Sequence, residues 1–278
     1  MESGLYVVAT PIGNLGDVSR RALEVLAGAD LIAAEDTRHT GQLLQQYAID
    51  NTVVAYHEHS DRRAAERIMH CLAGGGAVAL VSDAGTPLIS DPGYRLVREA
   101  QDLGYRVIPL PGACAAVAAL SVSGLPTDRF LFEGFLPSKS GTRSNRLREL
   151  VQRQETLIFY EAPHRIADCL QDFVTVFGAE REALLAREIT KAFETVRRAP
   201  LGELREFVSS DSNQQRGEIV LVVAGQRQCN SEIDAEAARL LVRLAKELPG
   251  KKAAAVVAEL TGLRKKQLYD YLLQHPPA

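Results

Sequence analysis

Cysteine is scarce in this 278-residue chain: Cys71, Cys114, Cys169 and Cys229 stand far apart, and no CxxC pair occurs. The pattern suits neither a disulfide framework nor a zinc site, and it fits the reducing cytoplasm. The first residues, Met1-Glu2-Ser3-Gly4, lack the basic segment and following apolar run of a signal peptide. Long hydrophobic runs are missing as well. The stretch Val107 to Leu125 is broken by Pro, Gly and Ser, so no membrane span is expected. The glycine fingerprint GxGxxG is absent, which disfavours a dehydrogenase. There is no internal repeat and no low-complexity tract. A net charge of −3 argues, taken over the whole chain, against a protein that coats nucleic acid.

What is present is an ordinary globular composition, 46% hydrophobic and 24% charged, on a chain long enough for two α/β domains. Such a chain buries a substantial core without help from metals or disulfides. The average charge hides an asymmetry. Residues 129–153 carry six Lys/Arg against Glu133 and Glu149, a net of +4. Residues 246–278 carry six against Glu247, Glu259 and Asp270, a net of +3. Solvated helix faces would account for either cluster, and so would local contact with phosphates.

The first half alternates short apolar runs with amphipathic stretches. Strands are expected at 5–9, 30–34, 52–56, 77–82 and 106–110, and helices at 18–28, 37–47, 61–73 and 95–103, with Gly74-Gly75-Gly76 and Gly104 as stops. This alternation implies a mostly parallel sheet covered on both faces. Residues 112–123 are small and apolar and suit a tightly packed helix. Beyond Gly124-Leu125-Pro126 the pattern restarts, with strands expected at 130–132, 156–160, 183–186 and 218–223 and helices near 144–153, 164–177 and 201–210. From about 231 onward the sequence is purely helical, ending in a helix-turn-helix-like tail with a turn near Thr261-Gly262. The expected domains are therefore 1–123, 124–228 and 229–278.

Ligands of open parallel sheets bind beyond the carboxyl ends of the strands, so the loops after strands matter most. Three are chemically suited. Thr10-Pro11-Ile12-Gly13-Asn14-Leu15-Gly16 is stiffened by Pro11 and freed at Gly13 and Gly16; by itself it reads equally as a surface turn. Ser82 to Gly93 packs two Pro, two Gly and two Asp into twelve residues, enough backbone donors and acceptors to hold an amino-acid moiety and a ribose, or to build a structural turn. Pro109 to Ala116 opens a helix with small residues, which admits a ligand close to the backbone or a closely packed helix.

These three loops, in this order, resemble the cofactor loops of the tetrapyrrole-methylase superfamily. The resemblance sharpens over Ala9 to Leu15, Ala34-Glu35-Asp36-Thr37-Arg38-His39-Thr40, Val81 to Pro87, Phe159-Tyr160-Glu161-Ala162-Pro163-His164-Arg165, Ala186-Arg187-Glu188-Ile189-Thr190-Lys191 and Arg216-Gly217-Glu218. Together these segments are similar to the bacterial enzymes that methylate a cytidine 2′-hydroxyl of 16S ribosomal RNA. One departure is Ala113, where relatives often carry a second proline. The resemblance implies two α/β domains with S-adenosylmethionine between them, a homodimer, and 16S RNA of the small ribosomal subunit as partner. It places Pro11 and Gly13 under the cofactor and Asp83, Gly85, Thr86 and Pro87 along one side. Cys114 and Ala115 then meet the methionine or ribose portion and Tyr160 lies near the adenine; an aromatic at a strand end also suits plain core.

Methyl transfer from a sulfonium is an in-line displacement, so alignment of the attacking oxygen dominates, and proton removal from the hydroxyl assists it. Glu35, Asp36 and His39 are the candidate proton acceptors, with Arg38 placed to hold a phosphate; Asp36 or Thr37 also suits a helix N-cap. Lys191 could lower the hydroxyl's pKa, bind phosphate, or simply pair with Glu188. Arg38, Lys139, Arg143, Arg146 and the basic tail are the candidate phosphate contacts, which orient a substrate without selecting its bases. No aromatic-rich stacking motif is present, so target choice is expected to depend on the shape of the subunit. Tyr56-His57-Glu58-His59 sets two histidines on one face of a strand without an evident third ligand, so no metal is assigned. Two rival readings share parts of this pattern: a small-molecule methyltransferase, which leaves the Glu35–Thr40 segment and basic tail unexplained, and a non-catalytic ribosome-assembly factor.

Overall fold

The computed structural model describes residues 1–57, 62–226, 233, 235–261 and 263–275. Cys229, Glu58 and His59, Gly262 of the expected turn, and the expected helix start at residue 61 lie outside them.

Five strands, β1 (Gly4–Val8), β2 (Leu31–Ala34), β3 (Val53–Ala55), β4 (Ala77–Val81) and β5 (Val107–Leu110), form a sheet in the order β3-β2-β4-β1-β5. Every pairing in it is parallel. Parallel neighbours require crossovers, and α1 (Arg20–Gly28), α2 (Thr37–Gln46), α3 (Arg62–Ala73) and α4 (Tyr94–Asp102) supply them. Alternate residues of one strand feed opposite cores. Ala77, Ala79 and Val81 pack with Leu26 and Leu44 of α1 and α2, whereas Val78 and Leu80 pack with Ile68 and Leu96 of α3 and α4. That explains why β2 and β4 read as unbroken apolar runs. Ser19 caps α1 by accepting from the Ala22 amide, and Asp36 caps α2 by accepting from the Arg38 amide.

After β5 a short helix, α5 (Ala115–Ser121), leaves the first sheet and covers one face of the second. Ala116, Ala119 and Leu120 pack on Ile158, Leu184, Val220 and Val222. The second sheet contains β6 (Phe130–Phe135), β7 (Thr156–Glu161), β8 (Glu182–Arg187), β9 (Thr195–Pro200) and β10 (Ile219–Val223), in the order β6-β7-β10-β8-β9. Its other face is covered by α6 (Ser140–Leu150), α7 (Ile166–Phe177) and α8 (Leu201–Ser210), which share a core with Leu157, Phe159, Leu185 and Leu221. Only β6 and β7 run parallel; β10 is antiparallel to both neighbours, and β8 and β9 form a hairpin. The second half therefore does not repeat the first.

Two differences from the sequence-based elements have physical causes. β9 is an added edge strand held by its antiparallel pairing with β8, and α6 starts at Ser140 rather than near 144, its first turn tied to α7 by the bonds of Ser140 and Arg143 to Asp172. Both sheets belong to one compact unit, Met1–Gly225; Gln226–Ala278 form a second. In the latter, α9 (Ala235–Ala245), α10 (Gly250–Thr261) and α11 (Lys265–Gln274) bury Leu241, Val257, Leu268 and Leu272 among themselves. Among the described residues no helix is long and apolar enough to cross a membrane, and Cys71, Cys114 and Cys169 are free thiols.

Candidate active site

An all-parallel sheet delivers every post-strand loop to one edge, and the order β2-β4-β1-β5 sets four of those loops side by side. Hydrogen bonds join them into a floor. Thr10 and Gly85 exchange backbone bonds, the Thr10 amide to the Gly85 carbonyl at 2.9 Å and the Gly85 amide to the Thr10 carbonyl at 3.1 Å. The Asp36 amide donates to Asp83 Oδ1 at 3.0 Å, tying the loop after β2 to that after β4. Thr86 Oγ1 donates to the Ala113 carbonyl at 2.9 Å, tying in the loop after β5. Gly85 has φ +83°, and a Cβ there would stand 3.2 Å from Ile12 Cγ2, so glycine meets both a conformational and a steric demand. Leu88 and Ser90 in the same loop also hold positive φ, 74° and 68°, strain of a kind that concentrates at ligand sites.

The second sheet supplies the facing wall. The carboxyl ends of β6, β7 and β8 and the amino end of the reversed β10 share one edge, bringing Phe135, Tyr160, Glu161, Ile189 and Val220 to a cleft of about 430 Å³. Tyr160 is held rather than merely buried. Its hydroxyl accepts from the Ala116 amide at 3.1 Å, and Phe132 and Phe135 pack edge-on at 5.1 and 5.7 Å. Burial, followed by the neighbouring Cys114, raises its phenol above the ordinary value.

Of the expected cofactor residues, Asp83, Gly85, Thr86, Cys114, Ala115 and Tyr160 line the cleft. Pro11 and Pro87 belong to the same loops but stand outside its lining. Gly13 serves differently: a Cβ there would overlap the Lys191 side chain, so the glycine makes room for the lysine. Among the expected catalytic groups, Glu35 lines the cleft whereas Asp36, His39 and Lys191 do not, Lys191 standing beside it against the lining residue Glu218. Asp36 is engaged as the cap of α2 and as the partner of Arg38 at 2.8 Å; those bonds hold its carboxyl well below the usual range, which makes it a poor proton acceptor. His39 is exposed on α2.

Asp91 was not assigned from sequence, although it occupies the same Pro/Gly-rich loop. It lines the cleft with Glu35 and Asp83. Burial is the main cause that pushes its carboxyl up to about 6, with the charges of Glu35 and Asp83 adding. Burial likewise raises Glu35, aided by Asp83. Lys191 is the opposite case. Burial disfavours its charge, but hydrogen bonds to Glu188 at 2.8 Å and Glu218 at 3.1 Å outweigh that and raise its pKa. It therefore stays a cation. Gly217 completes this arrangement, since a Cβ there would overlap the Glu188 carboxylate. Glu161 is anchored by Arg165 at 3.2 Å. Arg187 turns away into a brace, bonding Gln214 and the carbonyls of Phe193 and Arg216. Among the described residues no cluster of three His, Cys, Asp or Glu could hold a metal.

The candidate phosphate contacts separate. Arg38 and Lys139 are exposed, the former paired with Asp36. Arg146 is engaged by Glu133 and Glu149. Arg143 corrects the sequence-based expectation: its side chain is 3% exposed and bonded to Asp172 at 2.7 Å, so it is a buried structural cation and no surface phosphate can reach it.

A parallel sheet and a mixed sheet thus line one acidic and apolar cleft. The family model described as Tetrapyrrole (Corrin/Porphyrin) Methylases matches residues 4–205, and the chain belongs to this family. Solved structures agree in fold. A uroporphyrin-III-C-methyltransferase from Thermus thermophilus aligns with TM-score 0.56 and 20% identity over 79% of this chain and 93% of its own. A cobalt precorrin-4 methyltransferase aligns with TM-score 0.60 and 13% identity over 79% and 94%. Sequence similarity is narrower. A model described as the RsmI C-terminal HTH domain matches residues 231–275. Proteins named Ribosomal RNA small subunit methyltransferase I are 58% identical in Pseudomonas aeruginosa, over 97% of this chain and 96% of the relative, and 53% identical in Escherichia coli O157:H7, over 97% and 94%.

Proposed function

We propose that this enzyme transfers the methyl group of S-adenosylmethionine to the 2′-hydroxyl of a cytidine in 16S RNA of the small ribosomal subunit. The observation that carries the reading is a cleft whose loops are joined in advance and whose carboxylates, Glu35, Asp83 and Asp91, share it with the apolar side chains of Ile12, Phe135, Tyr160 and Val220, on a chain similar over nearly its whole length to small-subunit methyltransferases. The residues fit the cofactor. Carboxylates suit the ammonium and sulfonium charges, and Ile12, Phe135, Tyr160 and Val220 suit the adenosine. When bound, the cofactor supplies an electrophilic methyl group.

The remaining work falls to the protein. Glu35, raised by burial, accepts the proton of the attacking hydroxyl; a carboxylate nearer neutrality does so more effectively. Lys191, kept charged by Glu188 and Glu218, holds a substrate phosphate or the oxygen that loses its proton. Arg38 and Lys139 contact phosphates further out. The working form is a homodimer in the cytoplasm, to be checked by light scattering and cell fractionation.

Labelled-methyl transfer to small subunits, with mass mapping of ribosomal RNA from a strain lacking the protein, tests the reading. The expected result is loss of one ribose methyl on a 16S cytidine; an unchanged methylation map overturns it. Short free oligonucleotides should be poor substrates, and efficient methylation of one would refute recognition by subunit shape. Cofactor binding with transfer only to a small molecule would favour the tetrapyrrole-type reading.

A further inference from the structure

We propose that the C-terminal three-helix unit is a clamp for duplex RNA, which grips the substrate by its phosphates and supplies most of the chain's electrostatic RNA affinity. The inference rests on the ribosomal RNA reading above. The two basic clusters seen in the sequence have different fates in the structure. In the first, Arg129, Arg143 and Arg146 are engaged by Glu155, Asp172, Glu133 and Glu149, so half of its six cations are met within the protein, and Lys139, Arg148 and Arg153 stay exposed. In the second, Lys251, Lys252, Arg264, Lys265 and Lys266 are all exposed, and among the described residues none of them forms an ion pair.

Their placement follows from the helix-turn-helix geometry. Thr261 Oγ1 donates to the Val257 carbonyl and accepts from the Leu263 amide, closing the end of α10 and starting the turn. Gly250 at the other end of α10 faces Tyr269 and Leu272 of α11, and Lys251 Nζ stands 6.0 Å from the Tyr269 ring. Lys251 of α10 thus flanks α11, whose own first turn carries Lys265 and Lys266. The shared core of Leu241, Val257, Leu268 and Leu272 makes this a firm platform. Unpaired cations on such a platform gain most from displacing the counterions of a nucleic acid. An RNA duplex is read mainly through phosphates and 2′-hydroxyls, with its shape deciding the fit. That matches a surface rich in exposed cations.

The test uses full-length protein with Lys251→Gln, Lys252→Gln, Lys265→Gln and Lys266→Gln combined, and a second variant with all four changed to Arg. Binding is measured to a synthetic RNA duplex copied from 16S RNA and to a DNA duplex of the same sequence, across a salt series. The Gln variant should lose about one unit of salt-dependence slope for each lysine that engages a phosphate, and roughly 10- to 100-fold in affinity at moderate salt. The Arg variant should retain both, and S-adenosylmethionine affinity should report an intact cleft in each. An unchanged slope and affinity in the Gln variant overturns the clamp, and equal binding to the DNA duplex overturns the commitment to RNA. Should the wild type bind the RNA duplex through these lysines yet transfer no methyl to small subunits, the substrate reading fails and the clamp remains.

Discussion

Lowering the pH from 7 to 5 should weaken S-adenosylmethionine binding about tenfold if a charged Asp91 is needed to hold a cationic ligand. Burial, reinforced by Glu35 and Asp83, pushes the Asp91 carboxyl up to about 6. The group is then mostly ionised at neutral pH and mostly protonated one unit below its midpoint. The ionised fraction falls about tenfold over that interval, and affinity follows it. Titration calorimetry of wild type and Asp91→Asn across this range is the assay. The variant should bind weakly throughout, leaving only the shallower dependence owed to Glu35. Stability should move the other way. A carboxyl raised in the folded state contributes stability that is present below its unfolded value of 3.8 and lost as pH climbs through about 6. Ligand-free wild type should therefore lose stability relative to Asp91→Asn over that window. Identical pH dependence of binding in the two proteins would refute the assignment.

Other substitutions separate structural from ligand-directed roles. Arg143→Ala leaves Asp172 of α7 with only the Ser140 hydroxyl as a partner and should cost about 3 kcal/mol in urea unfolding, the low end for a broken buried pair; a loss of RNA affinity without loss of stability would contradict its burial. Gly85→Val forces a side chain into φ +83° against Ile12, at a cost of roughly 1–2 kcal/mol for the backbone alone, and should abolish measurable cofactor binding; wild-type affinity would show that the Thr10–Gly85 bridge is dispensable. Tyr160→Phe leaves the Ala116 amide without its acceptor and should cost about 1–3 kcal/mol in thermal or chemical unfolding, with weaker cofactor binding; a change below about 0.5 kcal/mol would mean that another group satisfies the amide.

The first sheet was legible because its strands are apolar runs punctuated by glycine, and because strand–helix alternation implies parallel neighbours. The second sheet shows the same alternation, yet its direction reverses at β10, and nothing in the local pattern of Ile219 to Val223 records direction. β9 has no strand signature, because Thr195 to Pro200 carries two arginines and ends in proline. Its stability comes from pairing with β8 and from Arg197, whose guanidinium lies 4.3 Å from the Phe207 ring. The binding loops were recognisable as loops, and six of the expected cofactor residues line the cleft. The roles of Gly13 and Gly217 were not recognisable, because each depends on a side chain brought from a distant segment. Asp91 and Arg143 show one limit from two sides: the charge of a residue is written in the sequence, whereas its burial depends on what folds over it.

The reciprocal bonds between Thr10 and Gly85, with the ties from Asp36 to Asp83 and from Thr86 to Ala113, have a thermodynamic consequence. A floor assembled before the ligand arrives has little backbone freedom left to surrender. Cofactor association should therefore carry only a modest conformational entropy penalty, and amide hydrogen exchange at Thr10, Asp36 and Gly85 should be slow already in the empty enzyme. The same stitching makes four loops from distant parts of the chain a single mechanical part, so lengthening any one of them would displace the other three.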